Sequence, residues 1–405
     1  MPWSLRMLSY ITLASVIVQL YVAIKTTNAV VRLSGWPKRR IGITTTAVVL
    51  WIALYPVLMI GSYIFDAGSV ANSLQGSNLL VDTTIVYPFW LGIILAAQVA
   101  FFFILIDAVR LLLFPLYRKH RERWLRVQSW AVVALVFVGA IYVIARFYND
   151  TFTSRTRETE VRIAGLPEQL DGLRIVHLAD LQADPRTRDG KLDRYIERVN
   201  SLNPDLILFA GDLVTSGLDY IETGARAIGR MQANHGKYAC LGDHDFFSSR
   251  QQVKDNLERN GVTVLDNTAT VVPVGISYLS ITGITNVYPS RPAPSVLATI
   301  EEQRVRGPVN IFLVHQPSPD ITRYAADRNY DLFLGGHTHG GQIVFPLPGF
   351  LLAAAAFETD YVTGFYKVGS MFISINNGLG MTLAPVRYHA PAEVTLIRLR
   401  SGAGD

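Results

Sequence analysis

Two histidines separated by a single residue stand in a glycine-rich segment near the end of the chain. His337 and His339 follow the apolar run 332–334, which is typical of a buried strand. Side chains at positions i and i+2 of an extended segment point to the same side, so both imidazoles can reach one small volume. Imidazole is the commonest metal-binding side chain, and the glycines beside the pair allow a sharp backbone turn. The pattern therefore predicts a pair of metal ligands.

Four further apolar, β-rich runs upstream each end in a residue that can bind a metal ion. The runs are 173–179, 206–210, 238–241 and 309–314, and the residues that follow them are Asp180, Asp212, Asp243 with His244 and Asp245, and His315. Active sites of layered α/β folds collect at the carboxyl ends of strands. One such end would be explained by an aspartate that caps the next helix. Five in succession favour a single shared metal site.

Read in order, these motifs are Asp-x-Gln, Gly-Asp, Gly-Asp-His-Asp, His and Gly-His-x-His. The order resembles the calcineurin-like metallophosphoesterase superfamily, and in particular a membrane-anchored bacterial branch of it, from about residue 161 to residue 399. Further similar segments are 161–167, 171–175, 340–342, 377–380, 385–387 and 391–393. The resemblance implies a four-layer α/β/β/α sandwich of two mixed sheets, with a dinuclear metal site along one edge.

The resemblance also implies which residues hold the metal ions. It implies one set of ligands in Asp180, Gln182, Asp212 and His339, and a second set in Asp212, Asp243, His315 and His337. The carboxylate of Asp212 would bridge the two ions, which together can generate a hydroxide at neutral pH and clamp the phosphoryl oxygens. His244 is implied as the catalytic group that stabilises the phosphate or protonates the leaving oxygen. The alternative is a neutral histidine held beside the site by hydrogen bonds.

Two of these positions depart from the superfamily pattern. Gln182 stands where the pattern has histidine, and Asp243 stands where it has asparagine. An amide oxygen is a harder and weaker donor than an imidazole, so it favours Mn²⁺, Mg²⁺ or iron over zinc. Both side chains can still coordinate a cation. We therefore expect an active metal-dependent phosphoric ester hydrolase with two divalent ions, manganese favoured, and keep a non-catalytic metal-binding membrane sensor as the alternative.

The first 148 residues differ from the rest of the chain in composition. Only 17% of the 405 residues are charged, which is low for a soluble enzyme, and the apolar excess is concentrated in this part. Apolar runs at about 7–24, 41–65, 87–106 and 130–145 approach the length that crosses a bilayer. They predict a four-helix transmembrane region over 1–148, with buried core helices as the alternative. Residues 149–160 are predicted to form a linker and residues 161–400 the metallophosphoesterase domain.

The charges between the apolar runs predict an orientation in the membrane. Lysines and arginines gather in the connectors 25–40 and 110–126, whereas residues 66–86 contain none. The positive-inside rule places the basic connectors in the cytoplasm. Both termini and the catalytic domain are then predicted on the periplasmic or extracellular side of a bacterial inner membrane. The basic stretch 118–126 either binds anionic headgroups or serves only as the orientation signal.

The sequence narrows the substrate to a class. The apolar run 350–357 follows the two histidines closely and can line an acyl or prenyl pocket, touch the bilayer or form a short buried helix. Together with the membrane region it favours a phosphodiester, phosphomonoester or pyrophosphate of a lipid or cell-envelope intermediate. The alternatives are a soluble phosphoester and a cytoplasmic UDP-diacylglucosamine-type pyrophosphate, the latter in conflict with the predicted orientation. Nothing in the sequence implies nucleic acid.

Overall fold

The chain divides into two compact units. The computed structural model describes residues 2–347 and 350–402, and the division falls between Asn149 and Asp150. The helices of the first unit are α1 (Trp3–Ser34), α2 (Lys38–Ile52), α3 (Leu54–Ile64), α4 (Gly68–Gln75), α5 (Leu79–Val81), α6 (Tyr87–Leu112), α7 (Phe114–Tyr117) and α8 (Arg121–Phe152), with a π-helical turn at Asp82–Val86. This first unit contains no strand among its described residues.

Three helical segments of the first unit are long and apolar enough to cross a membrane. They are 3–34, 79–112 and 114–152, and the pair α2 and α3 makes a fourth if the two count as one span bent by 49°. The bend has a local cause, because Pro56 cannot bond to the carbonyl of Ile52 and its ring clashes there. Large apolar side chains such as Ile17 and Leu112 face outward, 76% and 77% exposed, which argues against buried core helices.

The second unit is built on two six-stranded mixed sheets and a small hairpin. Its strands are β1 (Ser154–Ile163), β2 (Arg174–Leu178), β3 (Leu206–Phe209), β4 (Lys237–Ala239), β5 (Thr263–Val264), β6 (Thr268–Val274), β7 (Ser277–Ile284), β8 (Asn310–Val314), β9 (Leu332–Gly335), β10 (Phe345–Leu347), β11 (Phe350–Leu352), β12 (Gly364–Val368), β13 (Met371–Ile375) and β14 (Ala392–Ser401). One sheet has the order β1-β14-β2-β3-β4-β5, the other β12-β13-β9-β8-β7-β6, and β10 pairs with β11. In the first sheet β2 to β5 are parallel to one another, as are β7, β8, β9 and β13 in the second.

Helices cover the outer face of each sheet, and apolar side chains fill the space between the sheets. The helices are α9 (Asp189–Ser201), α10 (Ile221–Arg230) and α11 (Asp243–Arg259) on the first sheet, and α12 (Pro294–Gln303) and α13 (Pro319–Asp327) on the second. The inner core joins residues of both sheets, among them Ile175, Leu208, Ile281 and Leu313. Strands covered on both faces are mostly apolar, which is why β3 and β9 read as apolar runs, β8 does so after Asn310, and β2 is interrupted only by the buried His177 after its first residue. The predicted four-layer α/β/β/α sandwich of two mixed sheets is confirmed.

The segment predicted to be a linker is part of the first sheet. Residues 149–152 end α8, and residues 154–160 form most of β1, which pairs in parallel with β14 over its whole length. The charges of β1, which make the segment read as solvated, form pairs across the ladder. These pairs are Arg157 with Glu393 at 2.7 Å, Glu158 with Arg398 at 3.2 Å and Glu160 with Arg400 at 3.1 Å.

Candidate metal centre

Every ligand predicted from the sequence lies just beyond the carboxyl end of a parallel strand. Asp180 and Gln182 follow β2, Asp212 follows β3, Asp243 and His244 begin α11 after β4, His315 follows β8, and His337 and His339 follow β9. Parallel neighbours present their carboxyl ends at the same edge of a sheet, so these side chains converge. All are buried except His337 and His244, which are half-buried.

One group of ligand atoms is centred on Asp243. The Nε2 atom of His315 lies 2.9 Å from Asp243 Oδ1, and His337 Nδ1 lies 3.1 Å from the same oxygen. The Nδ1 atom of His315 is 2.7 Å from the carbonyl oxygen of Ala210. A proton on Nδ1 satisfies that contact and leaves Nε2 free to face a cation, the arrangement usual for histidine ligands. These three side chains can place one ligand atom each within 4.8 Å of one another.

A second group joins Asp180, Asp212 and His315, with ligand atoms again within 4.8 Å. His315 belongs to both groups, and its Nε2 is 3.3 Å from Asp212 Oδ2. Gln182 donates to the same Asp212 oxygen at 2.8 Å, while its own amide oxygen is buried and has no hydrogen-bond partner among the described residues. A buried oxygen without a partner is available to a cation. The mixture of carboxylate, amide and imidazole donors fits divalent ions such as Mn²⁺.

The imidazole of His339 lies beside this second group. Its Nε2 atom lies 3.4 Å from Asp180 Oδ1. Burial, helped by the positive charge of Arg387, lowers the pKa of His339 well below its usual value, so the ring is neutral and able to coordinate. Burial raises the pKa of Asp180 to about 7, against the opposing effect of His315. A carboxyl group so placed would be ionised readily by a neighbouring cation.

Five of these residues have left-handed backbone conformations that amino acids other than glycine rarely adopt. The φ angles are 49° at Asp180, 48° at Gln182, 60° at Asp212, 71° at His337 and 51° at His339. Such conformations cost on the order of 1–3 kcal/mol each and persist where the surroundings enforce them, commonly at functional sites. The strain is concentrated at the predicted ligands, which supports a site selected for chemistry rather than for stability.

Glycines beside the ligands are required by the close approach of carboxylates. A Cβ atom at Gly242 would lie 2.0 Å from Asp212 Oδ1, and one at Gly336 would lie 2.6 Å from Asp180 Oδ2. Neither glycine has a positive φ, so conformational freedom is not the reason for its presence. The sequence predicts glycines that permit a turn; at these two positions the structure shows that they make room for ligand oxygens.

Asp245, which was part of the motif but had no predicted role, holds two of the ligand-bearing loops together. Its Oδ2 accepts hydrogen bonds from the backbone nitrogens of Asp212 at 3.0 Å and Gly242 at 2.9 Å, and its Oδ1 accepts one from Leu213 at 2.8 Å. Burial, with a contribution from the charge of Asp212, raises the pKa of Asp245 to about 7. The side chain therefore fixes the position of Asp212 relative to the start of α11.

Glu358 is a functional candidate that the sequence did not reveal. Its Oε1 atom lies 3.0 Å from His337 Nε2 and also accepts a hydrogen bond from Gln316. A carboxylate on the far nitrogen of an imidazole fixes the ring orientation and the tautomer of a metal ligand. Here it turns His337 Nδ1 toward Asp243. In the sequence, Glu358 is only an acidic residue directly after the apolar run 350–357, and its spacing from the predicted metal ligands matches no known motif.

His244 lies beside both groups and is bonded through both ring nitrogens. Its Nδ1 is 2.5 Å from the carbonyl oxygen of Thr215, and its Nε2 is 3.3 Å from the hydroxyl of Thr382. Burial would lower its pKa, but the carboxylates of Asp212 and Asp243 outweigh burial and raise it. The ring is thus restrained as the alternative interpretation requires, and it also retains the proton that a general acid needs.

Metal binding at this site should release protons. Burial alone would lower the pKa values of His315 and His337, but the facing carboxylates raise the first well above its usual value and the second to about 9. Both rings therefore carry an extra proton at pH 7 and must lose it to coordinate, so metal affinity should fall as the pH falls below 9. Calorimetric titration with Mn²⁺ in buffers of different ionisation enthalpy should detect the protons released by these two rings and by the carboxyl group of Asp180. Affinity that stays constant between about pH 6 and pH 8 would contradict this expectation.

Comparison with known proteins agrees with the resemblance that the motifs predicted. Residues 173–341 match the family model described as calcineurin-like phosphoesterase. The chain is 28% identical over 280 residues to a transmembrane protein with metallophosphoesterase domain from Danio rerio, an alignment that covers 66% of this chain and 62% of that protein. It is 29% identical over 290 residues to the uncharacterized metallophosphoesterase YkuE of Bacillus subtilis, covering 70% and 99%. This chain thus spans less than two thirds of the zebrafish relative and nearly all of the bacterial one.

The solved structures that resemble the second unit include a 5'-nucleotidase precursor from Thermus thermophilus, at 18% identity and a TM-score of 0.32, covering 51% of this chain and 49% of that one. The strand-end ligands, the two mixed sheets and the family match define a metallophosphoesterase domain. The family match over residues 173–341 and the two metallophosphoesterase relatives confirm the resemblance that the motifs predicted. The matched family is one of phosphoesterases, and the apolar helices of the first unit are long and apolar enough to cross a membrane.

Proposed function

We propose that this protein is a membrane-anchored phosphoesterase that works with two divalent metal ions. In this proposal one ion is held by Asp180, Gln182, Asp212 and His339, and the other by Asp212, Asp243, His315 and His337. The observation that carries the proposal is the convergence of these side chains into two groups that share His315, whose Nε2 also lies 3.3 Å from Asp212 Oδ2. The buried and unpartnered amide oxygen of Gln182 supports a role for that residue as a ligand in place of the usual histidine.

The residues around the ions have separate tasks in this proposal. When bound, two divalent ions supply the nucleophile and neutralise charge on the phosphoryl oxygens. Glu358 orients His337, and Asp245 holds the loop that carries Asp212. The protonated ring of His244 stabilises the phosphate or gives a proton to the leaving oxygen, which would otherwise depart as an alkoxide. His244 Nδ1 is held by the carbonyl oxygen of Thr215 at 2.5 Å, whereas Nε2 has only a longer contact of 3.3 Å with the hydroxyl of Thr382. In the proposal Nε2 therefore donates the proton to the substrate.

We infer that the substrate carries an apolar group. Of the run 350–357, the described side chains are those of 352–357, and they do not form a buried helix: Leu352 is 44% and Phe357 is 87% exposed. Phe357 directly precedes Glu358, whose carboxylate contacts His337, so an exposed apolar surface adjoins the proposed metal centre. A phosphoester or pyrophosphate of a lipid or cell-envelope intermediate would place its phosphorus at the ions and its acyl or prenyl chain on this surface.

The proposal is tested by metal removal and a substrate panel. Purified protein loaded with Mn²⁺ is expected to hydrolyse bis-p-nitrophenyl phosphate, to lose this activity on chelation and to regain it when Mn²⁺ is returned. Phospholipids and a prenyl pyrophosphate are expected to be hydrolysed faster than soluble nucleotides. Equal or faster hydrolysis of soluble esters would instead favour a general phosphodiesterase. Two bound ions with no hydrolysis of any ester would favour the non-catalytic metal-binding sensor.

Reporter fusions should place the catalytic domain outside the cytoplasm. The prediction rests on the basic connectors and on α2 with α3 acting as one crossing, which gives an even number of spans. In a bacterial host, alkaline phosphatase fused after Asp405 is expected to be active because it requires export. Green fluorescent protein inserted near Arg121 is expected to fluoresce, because that connector is predicted to be cytoplasmic. The opposite pattern would mean three crossings or four in the inverted orientation, and either would favour the cytoplasmic UDP-diacylglucosamine-type pyrophosphatase.

A further inference from the structure

A polar cavity of 550 Å³ lies within the helical unit, between α1, α6 and α8. Its lining includes the basic residues Lys25, Arg32, Arg110 and Arg121 and a single acidic residue, Asp107. Ionisable side chains inside a helical membrane unit are costly and generally serve a function. Five of them around one cavity therefore require an explanation beyond helix packing.

The cavity opens where the ends of three helices meet. Arg32 is two residues before the end of α1, Arg110 is two residues before the end of α6, and Arg121 is the first residue of α8. Contacts across the helices hold these ends together, including Arg32 Nη1 to Ser129 Oγ at 3.2 Å and Tyr21 Oη to Asp107 Oδ2 at 2.7 Å. Helix ends are the level at which the phosphates of a bilayer lie, so the three arginines are placed at headgroup depth.

Charge inside the cavity is not balanced. Asp107 is already used, because it pairs with Lys25 at 2.5 Å and accepts hydrogen bonds from Tyr21 and Gln128. Among the residues that the structure describes, Arg32 and Arg110 form no ion pair with a carboxylate, and Arg121 reaches only Glu122, at 3.8 Å. Four basic residues less one acidic residue leave three positive charges facing one space. An anionic ligand would neutralise them.

We propose that this cavity binds the phosphate group of an anionic membrane phospholipid. A guanidinium presents a planar fork that pairs with two phosphate oxygens, and Arg32 and Arg110 approach the space from two different helices. Basic pockets between transmembrane helices on the cytoplasmic side take anionic headgroups in this way. Ile24, Val31 and Val132 add apolar walls that suit the first part of an acyl chain and that a free phosphate would leave without contact. The site is separate from the metal centre and does not depend on the proposed enzymatic activity.

The test uses the full-length protein, purified, delipidated and held in an uncharged detergent. Native mass spectrometry counts bound lipid, and tryptophan fluorescence follows thermal unfolding. All six tryptophans lie between residues 3 and 130, so this signal reports on the helical unit and not on the phosphoesterase domain. Phosphatidylglycerol is expected to bind one to one and to raise the melting temperature, whereas phosphatidylcholine is expected to do neither.

Three double variants separate specific binding from general charge. Arg32→Gln with Arg110→Gln is expected to weaken phosphatidylglycerol binding about thirty-fold, since each basic group at the surface contributes measurably to lipid attraction. Arg32→Lys with Arg110→Lys keeps the charge that sets membrane orientation but removes the planar guanidinium groups that can bind two phosphate oxygens. This variant is expected to weaken binding roughly fivefold. The control, Arg118→Gln with Arg123→Gln, changes exposed residues of the same connector that do not line the cavity, and it is expected to weaken binding about twofold at most.

Several results would overturn the proposal. Equal weakening by the cavity variants and the control would show that the basic residues serve only as the orientation signal. Equal binding of phosphatidylcholine and phosphatidylglycerol would show that the site does not select anionic lipids. If inorganic phosphate displaces phosphatidylglycerol at equal concentration, the ligand is a soluble phosphate and the proposal of a lipid is wrong. Phosphoesterase activity and metal content, measured on the same samples, show whether the separate proposal about the metal centre stands.

Discussion

Replacement of Asp212 by asparagine is expected to remove nearly all hydrolytic activity and most of the bound metal. Asp212 Oδ2 contacts Gln182 and His315, and its Oδ1 accepts a hydrogen bond from the backbone nitrogen of His244. Asparagine keeps the shape but removes the charge and one of the two oxygens, so both proposed ion sites are disturbed together. We expect kcat/KM to fall by about a thousandfold or more, measured by initial rates with Mn²⁺ in excess.

Asp205→Asn is the matched control for this variant. Asp205 stands immediately before β3, at the opposite end of that strand from Asp212, and accepts hydrogen bonds from the backbone nitrogen of Arg174 and the side chain of Asn234. Its loss is expected to change kcat/KM by about twofold at most, because it touches no proposed ligand. Metal content measured on both variants completes the comparison. Full activity and two bound ions in Asp212→Asn would rule out a bridging carboxylate.

The second large effect is expected from the buried guanidinium of Arg387. This side chain is 1% exposed and donates hydrogen bonds to five carbonyl oxygens, which belong to His339, Ala390, Asn377, Gly378 and Gly380. Arg387→Met would retain most of the volume but leave the oxygens of Ala390, Asn377 and Gly380 without a donor among the described residues, whereas those of His339 and Gly378 keep a backbone donor. We expect a loss of about 4 kcal/mol in the free energy of unfolding, since buried unsatisfied groups are among the few causes of large effects.

Hydrogen exchange measures this loss in the correct part of the molecule. Peptides that cover β2 and β3 are expected to exchange much faster in Arg387→Met, because their protection reports opening of the sheet core. The control is Arg400→Met, which removes a partly exposed arginine of β14 and its 3.1 Å contact with Glu160. A surface pair of this kind contributes about 1 kcal/mol or less. Similar protection in both variants would show that Arg387 is not needed to close the loop beside His339.

The order of the proposed ligands could be predicted from sequence because each follows an apolar strand. Runs such as 206–210 are buried on both faces, and a charged residue at the end of such a run must lie at an edge of the sheet. What the sequence could not provide is the geometry at those ends. Asp180 and Gln182 have left-handed backbone conformations and pack against glycines far along the chain, Gly336 and Gly378 beside Asp180 and Gly380 beside Gln182. Propensity and spacing carry no information about such contacts.

Two further features were hidden for different physical reasons. Strand β1 alternates charged side chains on both faces, a composition typical of a solvated linker, and only its pairing with β14 explains it. The apolar run 41–65 is long enough for one span and predicts a single crossing, although Pro56 stands within it. The structure bends there by 49°. The pairing of β1 with β14 is a long-range interaction, and the bend near Pro56 is a local property of the backbone. Hydropathy measures neither.

The pairing of β1 with β14 bears on whether the second unit can be released from the helical unit by proteolysis. Only Thr153 separates the end of α8 from the start of β1, so the chain offers no unstructured stretch for a protease between the two. A cut inside β1 would strip the edge strand and leave the backbone of β14 exposed, and an unprotected edge of this length promotes aggregation. A released fragment that begins at residue 161 would therefore be insoluble, whereas one that begins at residue 150 would keep the ladder intact. The ten residues of β1 therefore both follow α8 closely in the chain and form the edge of the first sheet.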